Sequence, residues 1–248
     1  NEHHVLGVVE ELAGLDSERM QRIAAALGFS ETIFIDEETG TVPLIRIFTP
    51  GMELPFAGHP LVGAAWVMLG REAGEVDRLR CGIGEVTIRR DDDVVWVDVP
   101  MNTANARPDD PAFASRVGLP ESISTWRVDT PLDYRLVELA TADDVSRVVP
   151  DTSALAPAHG LTVYARDADR LRMRFFIPEA GIQEDPATGS AAVALATRLA
   201  AAGELEGSLT IDQGEEIGHP SRINLRWSGS TASIGGTVAE DETRELDI

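Results

Sequence analysis

His59-Pro60-Leu61-Val62-Gly63-Ala64-Ala65-Trp66-Val67-Met68-Leu69 carries no acidic side chain and, past His59, no titratable one. A second stretch, Ala187 to Ala196, is likewise uncharged, its only polar side chains being Thr188 and Ser190. Each reads as a helix, one from about Pro60 to Leu69, the other from Pro186 to Ala202 with Gly203 closing it. A helix that is apolar all round belongs in the core of its domain rather than on its surface. Each half of the chain is therefore expected to wrap strands around one central helix.

The rest of the pattern fits that frame. Asp16 or Ser17 caps a helix that runs to about Leu27, where Gly28 ends it. Phe29–Ile35 and Thr41–Phe48 are predicted strands, followed by Glu85–Arg89 and Val94–Val99. Between Pro100 and Pro111 the sequence is rich in Pro, Asn and Asp, and it marks the expected domain boundary. This gives domains over 1–104 and 105–238, with 239–248 packing back on the first. The second half restarts with a short helix near Pro111–Val117 and strands at Tyr134–Leu139, Thr162–Tyr164 and Leu171–Ile177. Short strands with one long helix per half indicate an α+β fold, and 248 residues suit two domains.

An internal repeat links the halves. His59-Pro60-Leu61-Val62-Gly63-Ala64-Ala65 aligns with Asp185-Pro186-Ala187-Thr188-Gly189-Ser190-Ala191 at a constant offset of 126. The alignment predicts two matching helix starts facing one cleft, each with proline at the first helical position, where its missing N–H costs nothing. Asp185 reads either as a simple N-cap or as a functional group. His59 is a poor cap following an apolar segment, so it is either a core histidine satisfied by backbone or a site residue. Helix starts with free N–H groups attract anions, and Gly58, Gly63 and Gly189 let a ligand approach the backbone. A third candidate is Glu31. Strand alternation places it in line with Phe29, Ile33 and Ile35, either as a charge that protects an edge strand or as a functional carboxylate. Inside a core, desolvation would raise its pKa toward the range of a general acid–base.

Composition narrows the chemistry. The chain has 42 acidic and 21 basic residues, all the latter arginine, for a net charge of −21. Such a surface repels nucleic acid and anionic membranes, and neither is an expected partner. No stretch approaches the ~20 apolar residues of a membrane span, and the amino terminus shows no signal pattern, so a soluble cytoplasmic protein is expected. Cys81 is the single cysteine. It forms no internal disulfide, and neither it nor the terminal His3-His4 pair has metal-ligand spacing, so no metal is expected.

Three motifs resemble one known family. Ser30-Glu31-Thr32, Phe48-Thr49-Pro50 with Glu53-Leu54-Pro55-Phe56-Ala57-Gly58-His59-Pro60, and Gly181-Ile182-Gln183-Glu184-Asp185-Pro186-Ala187-Thr188-Gly189-Ser190-Ala191 are similar to the PhzF family of phenazine-biosynthesis-like proteins. The resemblance extends through Gln213-Gly214 and Gly235-Gly236. It implies a diaminopimelate epimerase-like fold of two pseudo-symmetric domains, each a curved mixed sheet or barrel around a buried helix. It also implies cofactor-free isomerisation of a small carboxylate, trans-2,3-dihydro-3-hydroxyanthranilate in the best-understood member, by a homodimer. By resemblance, Glu31 moves the proton, His59 and Asp185 orient polar groups of the ring, and Ser190 with Gly189 holds the carboxylate beside Gly58. Two departures stand out. The family pattern opens with a strand and turn ahead of the segment matching Val5–Val9, so the first domain is expected to lack them. The position of His219 in Gly218-His219-Pro220-Ser221 is arginine in the family.

The leading expectation is thus an isomerase working by glutamate-mediated proton transfer on a small cyclic hydroxy- or amino-carboxylate. A two-cysteine racemase of the same fold needs a thiol from each half, and Cys81 is alone. A non-catalytic anion-binding or regulatory protein that kept the cleft is the alternative from a different class.

Overall fold

The computed structural model describes residues 5–10, 12, 14–37, 41–70, 76–129, 133–155, 159–177 and 182–243. His3, His4 and Gly181 lie outside them. The chain forms two compact units, one of Val5–Asp98 joined by the chain from Gly235 onward, the other of Val99–Ile234.

The first unit begins with β1 (Gly7–Val9), α1 (Ser17–Leu27), β2 (Thr32–Asp36), β3 (Leu44–Phe48) and β4 (Glu53–Leu54). It continues through α2 (Gly58–Gly70), β5 (Arg78–Cys81), β6 (Gly84–Asp91) and β7 (Val94–Pro100). The strands lie in the order β1-β2-β3-β5-β6-β7, with β1 parallel to β2 and β2 antiparallel to β3. Helix α1 has the ends its sequence announces. The Asp16 side chain accepts the Arg19 N–H at 2.8 Å, and Gly28, at φ 71°, turns the chain while its N–H bonds the Ala24 carbonyl. The apolar stripe of α1, Met20, Ile23 and Ala24, packs with Phe34 and Phe48 into one core cluster.

Strand β2 is buried on both faces, because α1 and α2 both pack on it. Phe34 faces the α1 cluster, and Ile33 and Ile35 alternate to the other face. Helix α2 buries Gly58, Pro60 to Ala65 and Met68. Each fully buried Leu or Ile here contributes roughly 1.5–3 kcal/mol.

The second unit contains β8 (Ala106–Pro108), α3 (Phe113–Arg116), β9 (Ser124–Asp129), β10 (Asp133–Glu138) and α4 (Ala142–Arg147). These are followed by β11 (His159–Asp167), β12 (Arg170–Ile177), β13 (Ile182–Asp185), α5 (Gly189–Ala201), β14 (Glu206–Gln213) and β15 (Ser221–Ser228). β16 (Thr231–Gly236) starts in this unit and ends in the other. The order β15-β14-β12-β11-β10-β9-β8 places β15 and β8 six strand spacings apart, about 29 Å if the sheet were flat. Helix α5, only about 10 Å across, nevertheless packs on both of them. The sheet must therefore curl around the helix. Its outer face carries a second cluster in which Phe113 and Val117 of the α3 segment and Val145 of α4 meet Val163 and Phe176.

The unit boundary falls at Asp98/Val99, at the leading edge of the stretch 100–111 and ahead of residue 104. Met101 donates its N–H to the Ser230 carbonyl at 2.8 Å, and β8 pairs with β9, so these residues go with the second unit. The central helices do not start where the repeat puts them. Leu61 N–H bonds the Ala57 carbonyl, so α2 begins at Gly58 and already contains His59 and Pro60 in its first turn. In α5 the N-cap is Thr188 and the helix begins at Gly189, leaving Asp185 at the end of β13 and Pro186 in the turn between. The physical reason is the steric demand of proline on its predecessor, which favours extended backbone at Asp185, where a strand partner is available. The same constraint bears on His59, which lies in the first turn of α2 nonetheless; what Asp185 has in addition is its strand partner Phe175.

Candidate active site

The six candidate residues fall three and three. Glu31, Gly58 and His59 lie in the first unit; Asp185, Gly189 and Ser190 lie in the second.

Glu31 is not within the expected strand; it is the residue before β2 begins at Thr32. Its backbone is pinned from both sides. The left-handed Gly28 ends α1 three residues earlier, and the Glu31 carbonyl accepts the Gly7 N–H of β1 at 3.2 Å. The close approach of β1 depends on Gly7, where a Cβ would sit 2.9 Å from both the Phe29 ring and the Thr32 hydroxyl. The side chain is 6% exposed, which disposes of the edge-strand reading. Its Oε2 lies 3.1 Å from Nε2 of His59 in the first turn of α2. The approach to that turn is fixed by Gly82, since a Cβ there would lie 2.5 Å from Pro55 Cα. The structure thus brings the two residues together as a carboxylate–imidazole pair, Glu31 buried and His59 half-buried, the arrangement in which a proton can be held and handed on.

The nearby hollow of about 410 Å³, lined by Leu44, Arg46, Glu53, Pro55 and Cys81 among others, includes none of the six residues. Burial pushes the Cys81 thiol up from its ordinary value, with a backbone hydrogen bond near Ile83 partly opposing it. A protonated, inert thiol is the outcome. Cys81→Ala is expected to leave isomerase turnover within about twofold of wild type, measured on the same substrate used below; loss of turnover would revive a thiol mechanism.

In the second unit Asp185 is 8% exposed and accepts a short hydrogen bond from the Thr188 hydroxyl. Thr188 therefore makes no side-chain cap to its own helix, and the first N–H groups of α5, at Gly189 and Ser190, have no partner within the helix. Two residues outside the sequence-based set complete this cluster. Gln213, at the end of β14, is fully buried; its amide donates to the Asp185 carbonyl at 2.6 Å and accepts the Thr188 N–H at 3.1 Å. Tyr134 of β10 is buried against Phe175, with its hydroxyl hydrogen-bonded to Ser190. Burial drives that hydroxyl far above the ordinary tyrosine range; the Ser190 bond partly offsets this, and the charge of Asp185 adds to it. Tyr134 is thus neutral at any working pH. Gln213 was foreshadowed only as a match in the family pattern, and Tyr134 by nothing beyond its place in a predicted strand.

The turn holding Asp185 is close-packed. Gly214, at φ 83°, approaches so near that a Cβ would lie 2.3 Å from the His219 carbonyl and 2.9 Å from Pro186 Cβ. Ser221 donates its hydroxyl to the Pro186 carbonyl. The exposed His219 contributes its backbone N–H, to the Gly214 carbonyl, rather than its ring. Among the described residues no group of three or more His, Cys, Asp or Glu side chains is placed to hold a metal ion. Nor is any described helix long and apolar enough to cross a membrane.

The sequence matches the family described as phenazine biosynthesis-like protein (PhzC-PhzF) over residues 4–239. The chain belongs to this family. A relative from Pseudomonas fluorescens, named trans-2,3-dihydro-3-hydroxyanthranilate isomerase, is 34% identical over 229 residues, covering 87% of this chain and 82% of the relative. One of the same name from Pseudomonas aeruginosa is 36% identical over 233 residues, with 87% and 82% covered. Among solved structures, a PhzF-family phenazine biosynthesis protein from Bacillus anthracis superposes with a TM-score of 0.77 at 23% identity, covering 94% of this chain and 89% of that one. A hydroxyproline epimerase from Agrobacterium vitis superposes at 0.57 with 13% identity over 92% and 81%. These two likenesses speak for the fold, which extends to the epimerases.

Proposed function

We propose that this chain is a cofactor-independent isomerase acting on a small cyclic hydroxy- or amino-carboxylate by proton transfer through Glu31. The observation that carries the reading is the approach of buried Glu31 to half-buried His59 at 3.1 Å. Membership in a family whose curated relatives are named isomerases supports it. Glu31 removes a proton from a ring carbon and returns it at another carbon of the same conjugated system, so no atom or electron is gained or lost overall. His59, with its Nε2 3.1 Å from Oε2 of Glu31, orients the carboxylate while the proton is held. In the first unit the α2 start at Gly58 offers main-chain donors to an anionic group, and in the second the uncapped first turn of α5, at Gly189 and Ser190, does the same. An acidic chain can in this way hold an anion without lysine. The pseudo-symmetric pairing of the units, a dimeric state and a cytoplasmic setting belong to the same proposal, supported by the family resemblance.

The test uses trans-2,3-dihydro-3-hydroxyanthranilate in deuterated water. The expected result is an isomerised product carrying deuterium at one ring carbon, seen by proton NMR, with no added metal or nucleotide. Unchanged substrate with no wash-in of deuterium would remove this substrate and, if repeated across related hydroxy- and amino-carboxylates, the isomerase reading.

A further inference from the structure

The hydrogen bonds around Asp185 have only one consistent direction. The Thr188 backbone N–H is always a donor and the Asp185 carbonyl always an acceptor. Both are bound by the Gln213 side chain, at 3.1 Å and 2.6 Å, so the amide oxygen must face Thr188 and the amide nitrogen Asp185. The same nitrogen lies 2.9 Å from the Thr188 hydroxyl and donates to it. With its acceptor side taken, that hydroxyl turns its proton to the Asp185 carboxylate. A fully buried glutamine thereby sets the polarity of a carboxylate it does not touch.

We propose that Gln213 and Thr188 are positioning residues that hold Asp185 as an ionised, acceptor-only carboxylate, so that the substrate group it takes is a hydrogen-bond donor, a hydroxyl or an ammonium. This rests on the isomerase reading for its substrate half alone. It assigns Asp185 a narrower role than acid–base catalysis: a carboxylate without a proton has none to give. Tyr134 of β10 faces the same carboxylate, while Glu184 next to it is taken up by Arg174 of β12.

The positioning half is read without turnover. In protein labelled with carboxyl-¹³C aspartate, the Asp185 signal is identified by its loss in Asp185→Asn and titrated with pH. Thr188→Val, of equal volume but without the hydroxyl, is expected to move the midpoint upward, because a hydrogen bond to the charged form is lost. Thr188→Ser is expected to restore it. Gln213→Leu, which adds no charge and removes the donor that occupies the Thr188 hydroxyl oxygen, leaves that hydroxyl free to turn away and is expected to act in the same direction, which keeps the test decisive if Thr188→Val folds poorly. A midpoint unmoved or lowered in these variants overturns the polarity assignment. The substrate half is read by calorimetric titration with 3-hydroxyanthranilate, which carries both donor groups, against benzoate, which carries neither. A preference of about tenfold or more for the former, lost in Asp185→Ala, is expected. Equal binding of the two probes, or a preference that survives in Asp185→Ala, overturns it. Failure of deuterium exchange with an upward-shifted midpoint would count against the isomerase reading alone.

Discussion

Glu31→Gln is expected to lower isomerisation by about 10²–10⁴-fold while leaving the fold intact. The substitution keeps the volume of the side chain and its ability to meet His59, but an amide neither takes up a carbon-bound proton nor returns one. Glu31 is buried, its carbonyl is tied to β1, and its Oε2 lies 3.1 Å from His59. No other carboxylate among the six candidate residues shares this unit, since Asp185 lies in the second. The measurement is product formation and deuterium incorporation by NMR, alongside thermal unfolding to show that the variant is folded. Both readouts should fall together, because exchange and isomerisation use the same proton. His59→Gln should cost less, since it disturbs the orientation of the base and leaves the base itself. If Glu31→Gln turned over within a few-fold of wild type, Glu31 would be a structural carboxylate and the mechanism would have to be rebuilt.

How far the sequence could be read depended on whether a feature was local. The two uncharged segments became α2 and α5, buried as their lack of charge requires, and Asp16 and Gly28 bound α1 because caps act within four residues. The Asp185-Pro186 pair misled for the same reason. Asp before Pro has the local signature of a cap and first helical position, yet β12 offers Asp185 a strand partner at Phe175, and that long-range pairing prevails. Glu31 lay in the reach of the alternation argument only in part. Alternation put it in line with three apolar residues but left an edge-strand charge and an interior carboxylate both open. The reason is that β2 is covered on both faces, where period-2 patterning cannot separate inside from outside. As site residues, Gln213 entered only as part of the family match and Tyr134 not at all, since their partners are 25 or more positions away in sequence. A lone glutamine at a strand end and a tyrosine in an alternating strand acquire meaning only when the fold supplies the neighbour.

Arg174→Met is expected to destabilise the protein by about 3–5 kcal/mol, more than any substitution at the surface. Arg174 and Glu184 form a bidentate pair at 2.8 and 2.7 Å, with side chains only 10% and 8% exposed. The guanidinium has a second duty: its Nη1 donates to the Val148 carbonyl at 2.7 Å, just beyond the end of α4. Removing it leaves Glu184 charged and desolvated and orphans a buried carbonyl at once, and neither loss can be repaired by water in a packed core. In a protein of this size the expected fall in Tm is about 10 °C, read by calorimetry or by circular dichroism. Much of the cost is the penalty of a stranded charge rather than the worth of the pair. The double variant Arg174→Met with Glu184→Leu should therefore recover most of it. Recovery of stability need not restore activity, because Glu184 immediately precedes Asp185 on β13 and the pair sets where that strand ends. A single variant within about 1 kcal/mol of wild type would mean that water reaches Glu184, and β13 would then be held by its pairing with β12 alone.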